Sequence, residues 1–177
     1  MLSGSRLIEL WKDGVFIFIA PGDEDFLGWR THGFDKPIHI SNFVLAESIL
    51  MFCWLIKLIY EEADPKPPAL RITVGFDNLT RPSGPATLGS APEGKMRFQT
   101  NVRKAPGPKL EVYQLAEVAD FDAERVAYLL MADIYNAFGF DAMSVPYINL
   151  SDPKPRIKAE GITGSNLPEI VPTPDYY

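Results

Sequence analysis

One cysteine and two histidines are all the thiol and imidazole groups that the 177-residue sequence offers to a metal site or a nucleophilic centre. Cys53 alone cannot close an intrachain disulfide, which fits a reducing, cytoplasmic setting. With only His32 and His39, the sequence argues against a multi-histidine metal site and leaves few choices for a histidine-based triad. No GxSxG turn occurs to present a nucleophilic serine. An excess of positive charge is missing as well. Lys and Arg number 17 against 23 Asp and Glu, for a formal charge of −6. That balance argues against a general polyanion binder, whose affinity rests on neutralising phosphates. A local basic patch is still compatible with it.

A membrane-length apolar run is also lacking. Residues 46–62 read AESILMFCWLIKLIYEE, and only Lys57 interrupts the apolar stretch from Ile49 to Tyr60. A span needs about 20 predominantly apolar residues. Any window that long contains Glu47 and Lys57, and each charge near a bilayer centre costs roughly 2.5–3.5 kcal/mol on insertion scales. Glu61, Glu62 and Asp64 follow directly. The expectation is a soluble helix with no membrane contact. MLSGS (1–5) reads as a leader or a cut domain edge, followed at once by a strand-like pattern rather than a secretory signal.

What is present is an ordinary globular composition, 46% apolar and 23% charged. In RLIELWKDGVFIFIA (6–20), Asp13-Gly14 is the signal for a two-residue hairpin turn. That register sets Trp11 opposite Phe16 and Leu10 opposite Ile17. Ile8, Leu10, Ile17 and Ile19 would share one face, and Trp11, Phe16 and Phe18 the other. PIHI (37–40) reads as a short strand. The first helix follows, capped by Ser41 or Asn42 and stopped by Pro65.

LRITVGF (70–76) alternates, with Leu70, Ile72, Val74 and Phe76 inward. Residues 77–95 read as a Gly/Pro/Ser loop. MRFQTNV (96–102) and KLEVYQL (109–115) read as strands. A second helix runs over 122–138, capped by Asp120 or Asp122 and ended by Gly139, with Val126, Ala127, Leu130, Met131, Ile134, Tyr135 and Phe138 forming a wide apolar arc. MSVPYINL (143–150) reads as an edge strand, since Pro146 fits poorly in a central one. The fold expected is a two-layer α+β sandwich in the order β-β-α-β-β-β-α-β. A mainly antiparallel sheet of about five or six strands carries two helices on one face. One domain spans 6–150, and 151–177 is a Pro-rich irregular tail that could dock through Ile170 and the final tyrosines.

The first helix decides the functional reading. One broad face holds Leu45, Ile49, Phe52, Cys53, Ile56, Ile59 and Tyr60. The opposite side mixes Glu47, Lys57, Glu61 and Glu62 with Phe43, Leu50, Met51, Trp54 and Leu58. A helix apolar nearly all round needs cover on more than one side. Met51, Trp54, Leu58 and Leu50, with Trp11, Phe16 and Phe18 of the hairpin, are therefore the candidate interface. The partner is a second copy, another domain or another protein.

Other candidate sites are thinner. GSAPEGKM (89–96) matches the phosphate-loop spacing GxxxxGK, but Met96 stands where Ser or Thr should hold magnesium. No strand is expected before it and a strand rather than a helix after it. Asp23, Glu24 and Asp25, with His32 and Asp35, could gather a hard cation, though the spacing fits no known loop and a solvated acidic loop reads better. Asp23 and Asp25 are the weak metal candidates, and no cofactor is implied. Cys53 reads as core rather than nucleophile. Glu47 would become an acid or base if buried; pairing with an arginine or exposure near the helix start is the plainer reading. Arg71, Arg97 and Arg103 could place one cationic face against a phosphate backbone, and solvated strand faces look the same.

Two stretches, FIAPGDEDFLGW (18–29) and HISNFVLAESILMFCWLIKLIYEE (39–62), resemble the region that follows the nucleic-acid-binding core in bacterial Schlafen-like proteins of the AlbA_2 type, described as DNA-binding or ATP-binding. The AlbA_2 core itself is not recognisable in this chain, so no functional residue carries over. The resemblance implies an accessory domain of a larger regulatory or defence protein. No reaction follows from the sequence. The leading expectation is a non-catalytic interaction or oligomerisation domain; the alternative is a small-molecule pocket or enzyme between helix 41–62 and loop 77–95.

Overall fold

The computed structural model describes residues 7–11, 14–22, 38–89, 102–148 and 151–158. In chain order they form β1 (Leu7–Leu10), β2 (Phe16–Ile19), β3 (His39–Ser41), α1 (Asn42–Glu61), β4 (Ala69–Phe76), β5 (Thr80–Arg81), β6 (Gly84–Pro85), β7 (Thr87–Gly89), β8 (Arg103–Lys104), β9 (Leu110–Glu117) and α2 (Ala123–Phe138), then a 3-10 helix, Ala142–Ser144. The class is α+β, as the alternating and helical periodicities imply.

The core is built on β4 and β9, which pair antiparallel from Ala69↔Glu117 to Phe76↔Leu110. Strand alternation turns Leu70, Ile72, Val74 and Phe76 inward with Leu110, Val112 and Ala116. α2 lies across this face. It buries Val126, Ala127, Leu130, Met131, Ile134, Tyr135 and Phe138, the apolar arc read from its sequence. Asp122 caps it by accepting the Arg125 N–H at 3.0 Å. Gly139 ends it at φ +79, a left-handed conformation that suits a residue without Cβ. Gln114 of β9 ties sheet to helix, donating to Asp133 Oδ2 at 2.7 Å.

α1 packs against α2 and sends Leu45, Ala46, Ile49, Leu50, Cys53 and Ile56 into the core. Ser41 occupies the N-cap position but makes no side-chain cap bond. The first-turn residue Asn42 instead donates to the Tyr135 hydroxyl at 2.8 Å.

The sheet departs from expectation. In place of one sheet of five or six strands, the described residues form four small ones: β1–β2, β3–β7–β8, β4–β9 and β5–β6. β4 and β9 pair directly around residues 77–109, and within that stretch Pro82, Gly84 and Pro85 confine the β5–β6 pair to two rungs. β3 and β7 pair in parallel, which requires a long crossover, here including α1 and β4. Residues 77–89 are thus an ordered part of the core edge, with Leu79, Ala86 and Leu88 buried, rather than an open loop. Residues 90–101, which include most of the expected 96–102 strand, lie outside the described residues.

The hairpin register slips by one from the expected two-residue turn. Leu10 pairs with Phe16. The Trp11 N–H bonds to Val15 O at 2.8 Å and the Gly14 N–H to Trp11 O at 3.0 Å. Gly14 has φ +84, a left-handed conformation that suits glycine where the chain turns between β1 and β2. A one-residue slip changes which side chains share a face. Ile8 and Leu10 now lie with Phe16 and Phe18, and Ile17 and Ile19 lie with Leu7, Glu9 and Trp11.

The expected edge strand at 143–150 is also replaced. Asp141 accepts the Met143 N–H at 2.8 Å and starts a tight 3-10 turn. Ile148 then bridges to Ile157. Residues 151–158 are irregular, as expected, but they belong to the domain. Ile157 is fully buried, and its N–H reaches Glu124 O at 3.3 Å. Arg125 donates to Pro155 O at 2.6 Å, and Arg156 pairs with Asp122 and Asp152 at 3.2 and 2.9 Å.

Candidate functional site

With Leu50 and its neighbours turned into the core, the other flank of α1 stays uncovered. Phe43, Met51, Trp54, Leu55 and Leu58 are 39, 48, 37, 37 and 46% exposed. Residues three and four apart are neighbours on a helix surface, so the four from Met51 to Leu58 form one apolar patch, and Phe43 extends it by way of Glu47. Lys57, the one basic residue of α1, flanks the patch. Its ammonium stands 5.1 Å from the Trp54 ring and 3.7 Å from Glu61.

Tyr147 closes the N-terminal end of this stripe. Its hydroxyl donates to Glu47 Oε1 at 2.7 Å, and Phe43 meets its ring edge-on with centroids 5.6 Å apart. Partial burial, followed by the hydrogen bond to the Glu47 carboxylate and that group's charge, pushes the Tyr147 hydroxyl above the ordinary tyrosine range. Glu47 therefore has a tyrosine partner rather than the arginine considered from sequence. Tyr147 could not be found from local pattern, because it is a hundred residues away in the chain. Leu55 could have been, from its spacing to Met51 and Leu58.

The other interface candidates separate. Leu50 is 2% exposed and forms part of the core, so it is withdrawn from the outer face. Phe16 and Phe18 pack on Phe52 of α1, with centroids 5.2 and 6.4 Å away. They join the hairpin to the helix rather than presenting a free face. Trp11 is exposed, its indole N–H donating to Glu9 Oε2 at 2.9 Å.

No single cationic face forms among the described residues. Arg71, on the outer face of β4–β9, lies 4.3 Å from the Tyr113 ring and 3.8 Å from Glu111. Arg103 is on β8 in a different sheet, 5.8 Å from the Phe140 ring. Arg97 lies outside the described residues, as do Asp23 and Asp25. Among the described residues no group of three His, Cys, Asp or Glu side chains is placed to hold a metal ion. Cys53 is fully buried and its thiol is pushed up to about 12 by desolvation, which suits a core residue and not a nucleophile. One objection to the GxxxxGK stretch falls: a strand, β7, does precede it, and Gly89 sits beside Ser41 at the start of α1. Met96 still stands where magnesium would need a hydroxyl.

A cleft of about 1550 Å³ opens between β2, α1, β4 and residues 77–79. Its walls are mainly apolar, with Phe16, Phe18, Ile49, Phe52, Ile72 and Val74 among them. Ser48, Tyr60, Asp64, Lys66, Asp77 and Arg81 are among its polar and charged residues; Glu47 is absent from the wall.

Against the expectation that the apolar run is too short, α1 is long and apolar enough to cross a membrane by length and composition, because its 20 residues hold few charges; core helices also pass that test. One flank of it packs on α2, and 39% of the apolar window is buried. No family model, curated protein or solved structure matches the chain.

Proposed function

We propose that this chain is a non-catalytic interaction domain that associates with a second copy of itself through the outer stripe of α1. The observation that carries the reading is the continuous patch of Met51, Trp54, Leu55 and Leu58 on a helix whose other flank is already core. Contiguous exposed apolar patches mark interaction surfaces far more often than scattered single residues do. Trp and Met are enriched at interface centres, and Lys57 and Glu61 supply a polar rim. A two-fold pairing would set α1 against α1, each stripe covering the other. The Schlafen-like resemblance would make this the pairing module of a larger cytoplasmic regulatory or defence protein whose nucleic-acid contacts lie elsewhere. DNA binding by this chain with a marked salt slope would overturn that division of labour.

The decisive experiment is light-scattering mass after size exclusion over a dilution series. The wild-type chain is expected to pass from dimer to monomer on dilution, and Trp54→Glu to stay a folded monomer throughout. A wild type that remains monomeric at its solubility limit would end the dimer reading.

The cleft favours a second reading, a small-molecule-binding domain. At about 1550 Å³ it exceeds the roughly 300–1,000 Å³ of ordinary ligand pockets and suits an extended apolar molecule. Such ligands should raise Tm, and Phe52→Ala should remove the rise. No Tm response across a series of acyl chain lengths would count against it.

A further inference from the structure

We infer that residues 159–177 are a tethered competitor for the α1 stripe, so that the chain regulates its own pairing. This rests on the reading of that stripe as an interface. The 151–158 segment leaves the described structure at Lys158, whose N–H bonds to Tyr147 O at 2.9 Å. Tyr147 is the residue that grips Glu47 and Phe43. The chain is therefore delivered to the N-terminal end of the patch by the backbone of the residue whose side chain closes it.

Reach and composition both suit this occupant. Phe43 to Leu58 spans about 22 Å at 1.5 Å per helical residue. The chain from 159 to 170 covers about 35 Å when extended at 3.1 Å per residue. Residues 159–177 carry Ile162, Leu167, Ile170 and Val171, with prolines at 168, 172 and 174 that favour extended backbone. Proline-rich segments dock on aromatic surfaces, and Tyr147, Phe43 and Trp54 provide one. The segment has three acidic residues and no basic ones, and Glu169 beside Ile170 suits Lys57 on the flank of Trp54.

A tether raises the effective concentration of a weak contact to about the millimolar range, so a modest intrinsic affinity suffices. If the tail covers the stripe in about nine of ten molecules, pairing of two open copies weakens about a hundredfold.

The test uses the full chain carrying Ile170→Glu with Val171→Glu. Two readouts are needed. The first is acrylamide quenching of Trp54 at monomeric dilution, in a Trp11→Phe, Trp29→Phe background. The tail substitutions are expected to raise quenching; unchanged quenching overturns the inference. The second is the dimer midpoint without the tryptophan changes, expected to fall by ten- to a hundredfold. An unmoved midpoint in a chain that does dimerise also overturns it. Increased quenching in a chain that never dimerises would uphold the tail contact and sink only the dimer reading.

Discussion

Tyr147 carries an unusual load for a surface turn residue. Its φ of +63 puts a bulky side chain in the left-handed region, at a cost of roughly 1–2 kcal/mol. The bond to Glu47 and the edge contact with Phe43 offset that cost. Removing the hydroxyl should therefore be felt. Tyr147→Phe is expected to lose about 1 kcal/mol of stability, read from the urea midpoint. The pH dependence has a definite sign. Burial comes first among the causes that raise the hydroxyls of Tyr147 and Tyr135 above their ordinary 10.0. A raised folded-state value favours the protonated form, so this contribution is complete below pH 10.0 and is lost as pH climbs through the raised values. Tyr147→Phe should flatten the fall in stability above pH 10.0. A slope equal to wild type would show that the hydroxyl has no such role.

At the scale of elements, α2 was legible almost to the residue. Its 3.6-residue apolar arc, the Asp122 cap and the Gly139 stop are local signals, and each is met as expected. Gly139 has nothing within 4 Å of where a Cβ would stand. Gly139→Ala should thus cost only its backbone strain, about 1 kcal/mol, seen as a lower urea midpoint with an unchanged m-value. Asp122→Ala should cost a similar amount through the lost cap. If Gly139→Ala proves neutral, the left-handed stop is not maintained in solution. β4 was equally legible, since its alternation reads directly as inward and outward faces. The β1–β2 register was not. Asp13-Gly14 signals a turn in either register; what accompanies the slip is Phe16 stacking on Phe52 and Tyr60 donating to Gly14 O, contacts made across the chain.

For the molecule as a whole, the boundary of the fold runs past its regular elements. Ile157 is fully buried although no periodicity surrounds it. Ile157→Asp should destabilise the domain by about 3 kcal/mol or more, because it would bury an unpaired carboxylate. Thermal unfolding measures this, and a Tm close to wild type would mean that 151–158 is dispensable. The extent, cap and stop of α2 and the inward face of β4 were determined by sequence alone, because they depend on neighbours within a few residues. The four small sheets, the parallel β3–β7 pair, the Tyr147–Glu47 contact and the choice of which α1 flank to bury were decided only by tertiary structure. Those are pairings between distant segments. An apolar side chain is equally ready to bury against a partner in its own chain or in another, and only the packed fold left Leu50 inside and Met51, Trp54 and Leu58 exposed.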